Sequence, residues 1–207
     1  DWGFDSAKRF KTQVNKALNT PASGLSPQRV VECARQILPL ETIATCDAGA
    51  SRLLVVQKWK SYKPREFLTS NGLGSMGYAL PGALAARLTH PNKPVVAFTG
   101  DGGLLMAVAD IQTSVREKLP IIVIVFDDGE VGLIRTKQSI KGIKPYGVHI
   151  GGIEWEYLAR GFGANGTTVA SEPEFIVALE YALKSSETTI IGVKIDASGY
   201  VDQFNFF

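Results

Sequence analysis

The 207-residue chain carries 22 basic and 20 acidic side chains, for a net charge of +2, with 45% apolar and 20% charged residues. That balance excludes a disordered polymer, and without a basic block it argues against a nucleic-acid surface. The longest apolar run, residues 121–126, is far too short to span a bilayer, and no signal-peptide pattern opens the chain. Cys33 and Cys46 form no metal or redox spacing, so a cytoplasmic setting is expected. Glycine stands out: 21 residues, about a tenth of the chain, against a usual share of about 7%. Such an excess suggests tight loops that approach a ligand. The chain begins at Asp1 rather than methionine, as a fragment or processed product would.

In chain order, Phe10, Val14 and Leu18 recur at helical spacing among lysines and arginine, and residues 19–24 read as a linker. Residues 1–25 are therefore expected to be an arm or the end of a preceding domain; an ordinary first helix is the equal alternative. Ser26-Pro27 is an N-cap followed by proline at the first helical position, predicting a helix to about Leu38. Residues 42–45 predict a strand, 67–69 a second, and 77–88 a helix of small residues. A strand follows at 94–98. Leu104, Val108, Ile111 and Val115 then make one helical stripe. Residues 120–126 are continuous, β-branched and without alternation, as in a strand buried on both faces. Helices near 153–162 and 173–184 and a last strand near 189–195 complete the pattern. Strands alternating with helices predict an α/β fold, a doubly wound, mostly parallel sheet with helices on both faces.

In such sheets ligands sit at the carboxyl ends of the strands. After the strand ending at Phe98 comes Thr99-Gly100-Asp101-Gly102-Gly103 and then a helix. Glycines flanking Asp101 let the backbone turn and approach a ligand, and a helix N-terminus suits phosphate. A carboxylate beside phosphate implies an intervening divalent cation, most simply Mg²⁺. Taken alone, Asp-Gly is as readily a plain turn. After the strand ending at Phe126 comes Asp127-Asp128-Gly129-Glu130-Val131-Gly132. Parallel strands put both loops on one sheet edge, so Asp101 and Asp128 can converge on one metal ion.

Gly100-Asp101-Gly102, twenty-four residues, then Asp127-Asp128 resembles the motif of thiamine-diphosphate-dependent enzymes, with aspartates where that family has paired asparagines. The resemblance implies metal ligation by Asp101, Asp128 and the Glu130 carbonyl. Residues 71–82 resemble the stretch that holds the aminopyrimidine in acetolactate synthases and related decarboxylases. There Met76 would buttress the bent cofactor, and the Gly74 carbonyl would accept from its amino group. Gly49, Ala50 and Ser51, in the loop after the first strand, match more weakly a loop that touches the diphosphate; Asp47 also reads as a turn or cap residue. Gly103, Gly132 and Leu133 complete the implied cofactor-binding set.

The resemblance covers residues 26–195 and one module only, the C-terminal diphosphate-binding domain; residues 196–207 form an aromatic tail that folds over the site or merely ends the chain. It implies thiamine diphosphate and Mg²⁺ as cofactors, a 2-oxo acid as substrate, and a decarboxylase or carboligase of acetolactate-synthase type. It also implies a pyrimidine-binding domain on the same or another chain, and a homo-oligomer in the complete enzyme. No general acid or base is assigned to this chain. Lys137 stands where acetolactate synthases typically have a substrate-site tryptophan, a departure from the standard enzyme. His149 reads first as a solvated loop residue. The rival readings are another Mg²⁺-dependent α/β phosphate-binding domain and a non-catalytic fragment that binds partner domains.

Overall fold

A computed structural model of the chain describes residues 3–17 and 24–206. The elements run α1 (Phe4–Ala17), α2 (Pro27–Ile37), β1 (Ile43–Cys46), α3 (Arg52–Lys58), β2 (Phe67–Thr69), α4 (Ala79–Thr89), β3 (Val95–Gly100), α5 (Asp101–Ala107), α6 (Asp110–Arg116), β4 (Ile122–Asp127), α7 (Gly132–Ile140), α8 (Trp155–Gly161), β5 (Asn165–Val169), α9 (Glu172–Lys184) and β6 (Thr189–Lys194), followed by a 3₁₀ segment (Ala197–Phe206). The six strands form one all-parallel sheet in the order β2-β1-β3-β4-β6-β5.

Strand parity sorts the core into two layers. Ile122, Ile124 and Phe126 of β4 join Phe98, Ile191 and Val193 beneath α2, α3 and α9. Val123 and Val125 join Val95, Ala97 and Ile190 beneath α4, α6 and α8. The central strands are buried on both faces, which is why they read as unbroken apolar runs. Connections leave β1 and β3 on opposite faces: Val55 of α3 packs in the first layer, Ile111 of α6 in the second. The crevice outside the carboxyl ends of β1 and β3 is thus the switch point of the sheet.

The structure departs from the sequence pattern at four places. Residues 101–116, expected as one helix after Gly103, form two, α5 beginning at Asp101 and α6 at Asp110. Helices α3 and α7 were not anticipated. Leu53-Leu54-Val55-Val56 is a short unbroken apolar run without helical periodicity, and α7 is half exposed. Strand β5 is an edge strand, Asn-Gly-Thr-Thr-Val, whose Gly166 is needed because Ala159 and the Trp155 carbonyl lie against it. Leu18 and the linker at 19–23 lie outside the described residues. Val14 of α1 packs with Leu54 and Tyr200.

Candidate functional site

One cavity of about 180 Å³ opens at the carboxyl edge of β1, β3 and β4. Every residue that the resemblance implies for cofactor or metal binding lines it: Gly49, Ala50, Ser51, Gly74, Met76, Gly100, Asp101, Gly102, Gly103, Asp128, Glu130, Gly132 and Leu133. So do Ala48, Phe126, Val131, Ile134, Ile150 and Tyr200, which were not singled out as site residues.

The loops are held by backbone-to-carboxylate bonds. Asp101 accepts from Gly102 N at 2.7 Å through one oxygen and from Gly129 N at 2.8 Å through the other. It thereby staples the loop after β3 to the loop after β4. Gly129 has φ +70°, the left-handed region that glycine enters without strain, and this aims its N–H at Asp101. Asp128 accepts from Glu130 N at 3.2 Å. The Glu130 carbonyl accepts from Gly132 N at 2.9 Å across Val131 (φ −77°, ψ 75°), an inverse γ-turn. That bond uses one lone pair of the carbonyl and leaves the other. The Glu130 carboxylate turns away to Arg135 at 2.5 Å. A side chain at Gly132 would collide with the Asp128 carboxylate, and one at Gly102 with Ile150.

Burial pushes the Asp101 carboxyl up to about 6, with the charge of Asp127 adding to it, and pushes Asp128 up to about 7, with Asp101 adding to it. Neither carboxylate has a lysine or arginine partner among the described residues. No group of three or more His, Cys, Asp or Glu side chains there is placed to hold a metal ion. An ion between Asp101 and Asp128 would therefore need carbonyl, water or ligand oxygens to complete its shell.

Asp127 has a different environment. Fully buried, it accepts from the Trp155 indole at 2.7 Å and from Lys194 Nζ at 2.6 Å, its register partner on β6. The Trp155 ring occupies the space that a side chain on Gly192 would take. Asp47 has the cap role read beside its loop. Buried to 3% exposure, it accepts from Ala79 N at 2.6 Å, Gly77 N at 3.2 Å and Thr99 Oγ1 at 2.6 Å. It fixes the entry to α4, and with it the turn bearing Gly74 and Met76. Arg52 donates to Asn71 at 2.7 Å across the same turn.

Tyr200 is the aromatic of the tail that reaches the site. The ring is 3% exposed, packs on Leu54 beside Ala50, and lines the cavity. Burial, with the charges of Asp128 and Asp101, holds its phenol well above the ordinary value. The sequence marks the tail as aromatic but does not single out Tyr200 among Phe204, Phe206 and Phe207. His149 is exposed and bridges Glu130 only through the backbone. Lys137 is exposed on α7.

Residues 47–193 match the family model described as "Thiamine pyrophosphate enzyme, C-terminal TPP binding domain". An acetolactate synthase of Bacillus subtilis strain 168 is 32% identical over 200 residues, covering 95% of this chain and 35% of that protein. The large subunit of acetolactate synthase isozyme 1 of Escherichia coli K12 is 28% identical, covering 93% and 34%. The chain thus spans about a third of the length of these relatives. A solved thiamine-diphosphate-dependent 4-hydroxybenzoylformate decarboxylase of Rhodococcus jostii RHA1 superposes with a TM-score of 0.79 at 24% identity, over 86% of this chain and 34% of that one, and shares its fold. With a match running from the Asp47 loop through β6, the chain belongs to the family of C-terminal thiamine-pyrophosphate-binding domains of thiamine-diphosphate-dependent enzymes.

Proposed function

We propose that this chain anchors the diphosphate of thiamine diphosphate through Mg²⁺, as one module of a 2-oxo acid decarboxylase or carboligase of acetolactate-synthase type. The observation that carries this reading is the pair of carboxylates, Asp101 buried and Asp128 half-buried, without an ion-pair partner among the described residues, in a glycine-walled cavity at the switch point. A divalent cation fits there because it would relieve both burial and mutual repulsion. Asp101, Asp128 and the Glu130 carbonyl would hold it, with the loops at 49–51, 100–103 and 132–133 around the phosphates. The chemistry that thiamine diphosphate supplies when bound is nucleophilic attack on the 2-oxo acid carbonyl and uptake of the electron pair released with carbon dioxide. The chain itself binds, orients and excludes water; it contributes no general acid or base.

At about 180 Å³ the cavity is below the roughly 300 Å³ at which small-molecule sites begin, enough for the diphosphate end and too little for the whole cofactor. Leu73 (96% exposed) beside Gly74, Met106 (67%) against Gly77, and Ile134 on the cavity wall leave an apolar rim in water. A pyrimidine-binding domain, on the same or another chain of an oligomer, would cover that rim. Residues 26–195 form the proposed module, with 1–25 joining it to what precedes and the tail packing on it through Tyr200. The free, buried cysteines Cys33 and Cys46 suit the reducing cytoplasm.

A receiver- or phosphatase-like reading would need an aspartate and a lysine facing the cavity at strand ends. The pair present, Asp127 and Lys194, does not line it. Titration calorimetry on the complete protein carrying this chain tests the proposal. Asp101→Ala and Asp128→Ala should each abolish Mg²⁺-dependent binding of thiamine diphosphate with the fold intact, and Asp128→Asn should retain it. Unchanged affinity in both alanine variants refutes the metal assignment.

A further inference from the structure

Among the residues lining the cavity, only two side chains carry a hydroxyl donor, Ser51 and Tyr200. The rest are glycines, apolar residues and the acidic groups Asp101, Asp128 and Glu130, which only accept when ionised. No lysine, arginine, histidine or amide side chain lines it. An anionic ligand there has the metal ion, backbone N–H groups and these two hydroxyls to satisfy it.

Tyr200 is built into this wall. Its ring sits on Leu54, flanked by Ala50, Ile195 and Ala197. Its edge lies 3.4 Å from where a Cβ on Gly132 would stand, and the Asp128 carboxylate lies 2.6 Å from the same point. The hydroxyl makes no hydrogen bond among the described residues, nor is it one of the fully sealed polar atoms. A tyrosine held at 3% exposure with an unengaged donor on a cavity wall is a donor awaiting an acceptor. The 3₁₀ segment that delivers it begins three residues after β6 ends, so the tail is tied closely to the sheet edge. Asp196 N donates to the Leu25 carbonyl at 3.0 Å and fixes the turn between them.

We infer that Tyr200 is a phosphate-binding residue, its hydroxyl donating to a diphosphate oxygen in the cavity formed with Asp128 and Gly132. The inference rests on the cofactor reading above and extends it to the tail, a segment outside the family-matched residues. It makes the tail part of the binding wall.

The test is Tyr200→Phe, which removes one oxygen and keeps the ring on Leu54, measured by titration calorimetry on the complete protein. The probes are Mg²⁺ alone, inorganic pyrophosphate with Mg²⁺, and thiamine diphosphate with Mg²⁺. The variant should weaken both diphosphates by about tenfold, the loss of one hydrogen bond to a charged acceptor, and leave Mg²⁺ alone unchanged. Ser51→Ala is the second variant; combined with Tyr200→Phe, its loss should add, as for two donors on one ligand. Equal diphosphate affinity in parent and Tyr200→Phe overturns the assignment. So does an equal loss of Mg²⁺ affinity, which would give Tyr200 to the Asp128 carboxylate instead. A parent that binds neither diphosphate overturns the cofactor reading itself, a result distinct from a parent and variant that bind alike.

Discussion

Asp47 can be removed on paper and the consequence worked out. Its two oxygens take three donors, Ala79 N and Thr99 Oγ1 at 2.6 Å and Gly77 N at 3.2 Å, in a setting with 3% exposure. Hydrogen bonds to a charged acceptor contribute about 1.5–3 kcal/mol each, and stranded buried donors add their own penalty. Three such bonds, less the carboxylate desolvation that the variant is spared, give a loss of about 4 kcal/mol for Asp47→Ala. Near 200 residues each kcal/mol moves the melting temperature by about 2–4 °C, so the midpoint should fall by about 8–16 °C. Asp47→Asn keeps one oxygen and turns an NH₂ toward donors, so it should lose roughly half as much. Urea unfolding of parent, both variants and the Asp47→Ala/Thr99→Val pair measures this, the pair being less than additive because Thr99→Val removes one stranded donor. An Asp47→Ala variant within about 1 kcal/mol of the parent would refute the cap, because the Ala79 and Thr99 donors it strands are buried from solvent.

Gly192→Ala would place a Cβ inside the Trp155 ring and drive the indole off Asp127, so a loss of about 3 kcal/mol or more is expected, with a shift in tryptophan fluorescence. In chelator, the folded chain holds protons on Asp101 (about 6) and Asp128 (about 7) more tightly than the unfolded chain does at 3.8. Their contribution is therefore unfavourable above those values and disappears as pH falls toward 4. The parent should lose stability relative to Asp128→Asn as pH rises from about 4 to 7, and excess Mg²⁺ should erase the difference; a gap that is flat with pH would count against it. The isolated chain should bind thiamine diphosphate weakly and release no carbon dioxide from pyruvate above the free-cofactor rate, because half the wall is missing; saturable turnover would show a complete site within these residues.

The central strands and the loops after β3 and β4 were legible because their signals are local. Residues 120–126, continuous and β-branched, fit a doubly buried strand, and Gly-Asp-Gly at a strand end lets the chain pass straight from β3 into α5. Tyr200 was not legible as a wall residue because its place depends on how β6 ends and the tail turns back, a contact set by tertiary packing on Leu54. The division between Asp127 and Asp128 was half visible: adjacent acids closing a strand needed a reason, but Lys194 and Trp155, 67 and 28 residues away, had to fold in to supply it. β5 stayed hidden because Gly166 and two threonines suit an exposed edge as well as a loop.

The pleat at the end of β4 makes two neighbouring acids answer to different assays. Asp127 shares the side of Val123 and Val125 and meets Trp155, whereas Asp128, one position on, lines the cavity beside Tyr200. Substitutions at the first should thus appear as poor yield and early melting, with ligand affinity intact in the molecules that fold. Those at the second should give soluble, stable protein that fails to load. A one-residue insertion between Ile122 and Phe126 would shift both by one address, putting the carboxylate meant for Lys194 into the cavity and the apolar Phe126 side chain against the indole. The length of β4 is under as tight a constraint as its chemistry, although no residue in it other than Phe126 and Asp127 borders the site or its support.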